Sequence, residues 1–175
     1  AFMQRFPYSV KNEECLYMTA ICSVNNSPEY SLDQEETDIA INNIQQFVNR
    51  YPNSKLVDSC NTIIDRLRSK LEFKDFQAVK LYAKTERYRA AVTSALSFIE
   101  KYPSSDFLEN AWNILVKNSY FLSKNSIQRK KKQRIEDTIE RYRKFASLYP
   151  NSKFLKMLKN IDVEIIKELQ LLNTI

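Results

Sequence analysis

The sequence predicts an all-α protein, an α-solenoid of stacked antiparallel helix hairpins. Three observations lead there. The 175 residues contain no glycine, which argues against tight β-hairpin turns and against Gly-rich phosphate loops. A short motif recurs, as "FVNRYPNSK" (Phe47 to Lys55), "FIEKYPSSD" (Phe98 to Asp106) and "FASLYPNSK" (Phe145 to Lys153), with a shortened copy "FMQRFPYSV" (Phe2 to Val10) at the start. The residues flanking each copy fall into helical stripes.

Counting back from Pro52, Pro103 and Pro150, positions twelve, eight, five and one before hold Ala40, Ile44, Phe47, Tyr51; Ala91, Ala95, Phe98, Tyr102; and Thr138, Tyr142, Phe145, Tyr149. Steps of four, three and four make one face of a helix. That helix stops at Tyr-Pro, because proline disfavours helical geometry before it and donates no N–H. Counting forward, Ser9, Ser54, Ser105 and Ser152 stand where an N-cap is expected. Beyond them Leu56, Cys60, Ile63; Phe107, Ala111, Ile114; and Phe154, Leu158, Ile161 form the stripe of a new helix. The first copy follows in part, with Cys15 and Met18, but Lys11 breaks the stripe at its first position. Each motif is thus a helix–stop–cap–helix corner, filled by its aromatic residues.

The elements follow in order. A helix is expected over about 11–25, then a polar loop marked by Pro28, then a helix over 35–50. A long helix over 55–83 leads to "AKTERYRAA", where Thr85 is expected to cap a helix over 86–101. Helices over 105–123, 127–148 and 153–172 complete the chain, with a turn near Asn125 and Ser126. Residues 1–175 form one tetratricopeptide-like repeat domain in this reading. The motif at 2–10 lacks the helix that leads into the others, so the chain is expected to be a piece of something longer.

Composition sets the chemistry. Hydrophobic residues are 43% and charged residues 27%, ordinary for a globular protein, and the net charge is +6, a weak preference for acidic partners. There is no histidine, hence no histidine base or metal ligand, and no catalytic constellation, metal site or cofactor site is expected. Cys15 and Cys60 occupy the register position of Ala111 and Leu158 and read as small buried residues, with Cys22 on the same face. Glu13-Glu14 reads as charge suited to a helix start, and Glu35-Glu36 is a second acidic pair. The run Arg129 to Arg134 ("RKKKQR") reads first as a solvated helix start balanced by Glu136, Asp137 and Glu140. A contact with anionic lipid or an acidic protein comes second. Nucleic acid comes last, since no aromatics interleave with the charges.

The motifs lie 45, 51 and 47 residues apart, longer than an ordinary tetratricopeptide repeat, but Tyr82, Ala91 and Pro103 keep that repeat's separations. The Trp-x-x-Leu-Gly signature is missing, and the aromatic expected at Ala95 moves one turn, to Phe98. With "FMQRFPYS", "SLDQEETDIAINNIQQF" (Ser31 to Phe47) and above all "DRLRSKLEFKDFQAVKLYAKTERYRAAV" within Tyr51 to Trp112, the chain resembles the BamD family over about residues 2–155. These are tetratricopeptide lipoproteins of the outer-membrane β-barrel assembly machinery. The resemblance implies a non-enzymatic periplasmic scaffold, anchored to the outer membrane by an N-terminal lipid outside this chain. It implies binding to the POTRA domains of a BamA-like protein and delivery of unfolded outer-membrane proteins. No nucleic acid is implied. Candidate partner contacts are Arg66 and Lys70 on the long helix and Arg87, Tyr88 and Arg89 at the turn after it. Phe47, Tyr51 and Pro52, Phe98, Tyr102 and Pro103, and Phe145, Tyr149 and Pro150 are the structural corners. The alternatives are a generic tetratricopeptide adaptor and a basic nucleic-acid-binding solenoid.

Overall fold

The structure, a computed structural model, describes residues 5, 6 and 8–173. Among these residues are seven helices and no strands: α1 (Asn12–Asn26), α2 (Glu35–Arg50), α3 (Val57–Lys84), α4 (Tyr88–Lys101), α5 (Leu108–Lys124), α6 (Gln128–Leu148) and α7 (Leu155–Asn173). The all-α repeat architecture read from the periodicity is therefore present, with each expected helix in place. The chain groups into two compact units, residues 1–74 and 75–175.

The corner repeats in atomic detail. Tyr51, Tyr102 and Tyr149 have φ of −128°, −125° and −129° with ψ of 63°, 66° and 63°. In each, the tyrosine N–H closes the preceding helix on the carbonyl of the phenylalanine four residues back, at 2.9–3.0 Å. The tyrosine carbonyl then accepts from the N–H of Ser54, Ser105 or Ser152 at 3.0–3.2 Å. This is a β-turn with proline at its second position, where a fixed φ is favourable. The ring of the phenylalanine packs on the tyrosine with centroids 5.6, 5.1 and 5.4 Å apart. Phe47, Phe98 and Phe145 are buried.

The serines stand three residues before the first residue of each helix, not directly before it as an N-cap would. Each Oγ accepts from the N–H two residues on, of Leu56, Phe107 and Phe154, at 3.2, 3.0 and 3.1 Å. Each serine carbonyl accepts from the N–H of Val57, Leu108 or Leu155 at 3.2 Å. The residue that caps α5 is Phe107, whose side chain cannot do so. The hydroxyl thus satisfies the lead-in turn, and that turn delivers the helix. Ser9 repeats both bonds, accepting from Lys11 N–H at its Oγ and from Asn12 N–H at its carbonyl. Phe2 and Pro7 of that copy lie outside the described residues.

In residues 1–74 the core is Ala20 and Val24 of α1, Ala40, Ile44 and Phe47 of α2, and Cys60, Ile64 and Leu67 of α3. The expected stripe on α1 does not hold: Met18 is 56% exposed and Cys22 is exposed. The face of α1 that packs is Asn12, Leu16, Tyr17, Ala20 and Val24. In this unit α1 pairs with α2, and α1 buries the face turned to that helix rather than the stripe holding Met18 and Cys22. Cys60 is buried as read, and burial pushes its thiol up.

The loop between α1 and α2 is stapled to α3. Lys70 Nζ donates to Pro28 O at 2.8 Å and to Ser27 Oγ, and Lys74 Nζ donates to Leu32 O. Tyr30 stands edge-on to Phe73, centroids 4.8 Å apart. Lys70, offered above as a partner contact, is therefore half-buried and committed to this loop. Burial, aided by Arg66, lowers its pKa.

In residues 75–175 the core joins Phe76 and Val79 of α3 to α4, α5, Phe145 of α6 and Leu158 of α7. Ile135, Ile139 and Ile165 pack as a smaller cluster between α6 and α7. Asp75 accepts hydrogen bonds from Lys101 Nζ and Tyr102 Oη, both at 2.8 Å, which ties this corner to α3.

Candidate partner-binding groove

The site grows from the way α3 ends. A glycine would ordinarily take the left-handed residue that closes a helix. This chain has none, and Glu86 takes the position with φ of 55°. Arg87 N–H then bonds to Tyr82 O at 3.0 Å and Glu86 N–H to Ala83 O at 3.3 Å, the paired bonds of a Schellman closure. Thr85, read from sequence as the N-cap of the next helix, instead closes α3: its Oγ1 donates to Leu81 O at 2.8 Å. The start of α4 accordingly falls at Tyr88 rather than Glu86.

That geometry sets the turn. Arg87 and Arg89 are exposed, whereas Tyr88 is half-buried. Its ring stacks on Phe121 of α5, centroids 5.3 Å apart and planes 24° from parallel. Between the α3–α4 turn and α5 lies a groove of about 450 Å³. Tyr88, Phe121 and Ile114 form its apolar floor, Asn113 and Asn118 its wall, and Lys84, Lys117 and Glu86 its rim. Tyr88 also lines an open apolar depression of about 580 Å³, together with Arg87, Arg89, Ala90, Thr93 and Leu122.

The polar wall is incompletely paired. Asn118 Nδ2 donates to Ile114 O at 2.8 Å. Asn113 Oδ1 is buried and has no hydrogen-bond partner. A buried acceptor without a donor costs about 1–3 kcal/mol. Partial burial and then the Glu86 carboxylate raise the Tyr88 phenol above its ordinary value, so it stays a neutral hydroxyl near pH 7. A groove lined by stacked rings suits an apolar or aromatic side chain of a polypeptide partner.

Of the residues singled out in the sequence, Tyr88 lines this groove, whereas Arg87 and Arg89 line the open depression beside it. Arg66, on α3 within residues 1–74, is exposed. Sequence reasoning missed Glu86, Asn113, Lys117, Asn118 and Phe121. The signal was present for α5: positions 113, 114, 117, 118 and 121 form a second helical stripe, and two asparagines inside a helix are unfavourable without a reason. Among the described residues no group of three or more potential metal ligands occurs, and no helix is long and apolar enough to cross a membrane.

A repeat of corner-linked helices bearing a side groove defines a helical-repeat protein. More specifically, the chain belongs to the YfiO family of outer membrane lipoproteins, whose family model matches residues 1–134. It is similar to the outer membrane protein assembly factor BamD of Caulobacter vibrioides (strain ATCC 19089 / CIP 103742 / CB 15), with 24% identity over 110 residues. That match covers 63% of this chain and 36% of the relative, so the similarity spans about a third of that protein's length.

Proposed function

We propose that this chain is a non-enzymatic scaffold segment of the outer-membrane β-barrel protein assembly machinery. Its partners are the POTRA domains of a BamA-like protein and unfolded outer-membrane proteins, and it works at the periplasmic face of the outer membrane. The relative's role as an assembly factor supports the process, and family membership supports the place. The observation that carries the binding role is the groove lined by Tyr88 stacked on Phe121.

The test is titration calorimetry of the chain against purified POTRA domains of a BamA-like protein and against an unfolded β-barrel protein. Tyr88→Ala is expected to weaken one of them by about 2 kcal/mol or more, roughly thirtyfold, as loss of an aromatic anchor does. Unchanged affinity for both would remove the groove from the proposal. Absence of binding to either would remove the assembly role of this segment.

A further inference from the structure

The groove makes no use of the basic run. Two of its members are turned into the fold: Lys131 Nζ lies 2.6 Å from Glu168 Oε1, and Arg134 Nη1 donates to Ser126 Oγ. Glu168 also receives Lys124 at 3.5 Å. Burial alone would raise its carboxyl, but the hydrogen bond from Lys131 and the two ammonium charges hold it below its ordinary value. That single carboxylate is committed to these two lysines.

Arg129, Lys130 and Lys132 are different. All three are exposed, and none forms an ion pair among the described residues. Ile127, immediately before them in the α5–α6 turn, is 68% exposed. The first turn of α6 contains no acidic residue, so the helix dipole adds to the positive field there. Glu136, Asp137 and Glu140 begin further along the helix, which confines the positive charge to one end of the hairpin.

One exposed isoleucine is ordinary by itself. At the end of a hairpin and followed by three uncompensated cations, it matches an anionic bilayer surface. The apolar side chain enters the interface, and the cations remain among the headgroups. A single-stranded nucleic acid would want aromatic platforms between the charges, and the uncharged residues from 128 to 134 are Gln128 and Gln133. Membership in a family of outer membrane lipoproteins places the chain beside such a surface. We infer that the α5–α6 tip is a second, reversible membrane contact, in which Ile127, Arg129, Lys130 and Lys132 engage anionic phospholipid headgroups.

Co-sedimentation of the 175-residue chain with vesicles tests this, using phosphatidylethanolamine–phosphatidylglycerol and pure phosphatidylcholine at low and high salt. Binding is expected to the anionic vesicles only, and to fall with salt. Combined Arg129→Gln, Lys130→Gln and Lys132→Gln weakens it on the order of a hundredfold. Combined Lys156→Gln, Lys159→Gln and Lys167→Gln removes the same charge from α7 and changes it by less than about threefold. Ile127→Ser weakens binding in a way that salt does not reproduce. Equal losses from the two triple variants, equal binding to neutral vesicles, or no sedimentation each overturn the inference. So does tight binding to polyglutamate or single-stranded DNA without vesicle binding, which assigns the tip to another class of partner. The inference is independent of the groove: Tyr88→Ala is expected to leave vesicle binding unchanged.

Discussion

Phe98→Ala measures what a corner is worth. Phe98 is 2% exposed and packs against Tyr102 at 5.1 Å and Phe76 at 5.5 Å between centroids. A buried phenylalanine removes at least about 150 Å² from water. At about 25 cal/mol per Å² that is roughly 4 kcal/mol, of which alanine retains a fraction. The two ring contacts add about 0.5–1.5 kcal/mol each, and partial collapse of the cavity offsets part of the loss. The expected cost is about 3–5 kcal/mol, the range for buried aromatic truncations. Urea unfolding followed by tryptophan fluorescence reads it cleanly. The chain has one tryptophan, and Trp112 lies in the same core cluster as Phe98. A loss below about 1 kcal/mol would refute the view that the aromatic pair holds the corner.

Two further outcomes follow from the backbone and the buried charges. Glu86→Gly relieves a left-handed residue at the end of α3 and is expected to raise stability by about 1 kcal/mol in the same urea assay; a loss would mean that the Glu86 side chain contributes more than its backbone costs. Burial raises the Asp162 carboxyl above its ordinary value of 3.8, against the opposing charge of Arg143, and its Oδ1 has no hydrogen-bond partner. The folded state therefore favours the protonated form, and the penalty on the charged form appears as pH rises through the raised value. Asp162→Asn is expected to be more stable than the parent at pH 7, with the difference vanishing below pH 3.8; a constant difference across that range would assign the effect to packing.

Several local errors share one cause. Thr85 and the motif serines read as helix starts, because a hydroxyl before an apolar stripe has that meaning. Thr85 closes the previous helix instead, since with no glycine available the left-handed position falls on Glu86 and shifts the next start to Tyr88. The serines bond within a lead-in turn, because proline sets a β-turn that occupies the residues before the helix. Both are matters of competing hydrogen bonds a residue or two apart, which periodicity does not resolve. Lys70 carries the same lesson at longer range: its charge reads as surface until the Pro28 loop folds over it.

By itself, the sequence determined the seven helices and the repeating corner. Both depend on local physics: stripes at helical spacing, proline's missing N–H, and a serine hydroxyl reaching two residues along. Family resemblance was legible for the same reason, since the order and spacing of corners are carried along the chain. Tertiary structure alone decided the groove. Tyr88 becomes a floor only when Phe121 of a different helix stacks on it, and Asn113 Oδ1 becomes an unpaired acceptor only when packing excludes water from it. It also decided which cations remain available, because Glu168 on α7 takes Lys131 and leaves Lys130 and Lys132 exposed. Solvation and pairing depend on what arrives from elsewhere in the chain, and no stretch of sequence records that on its own.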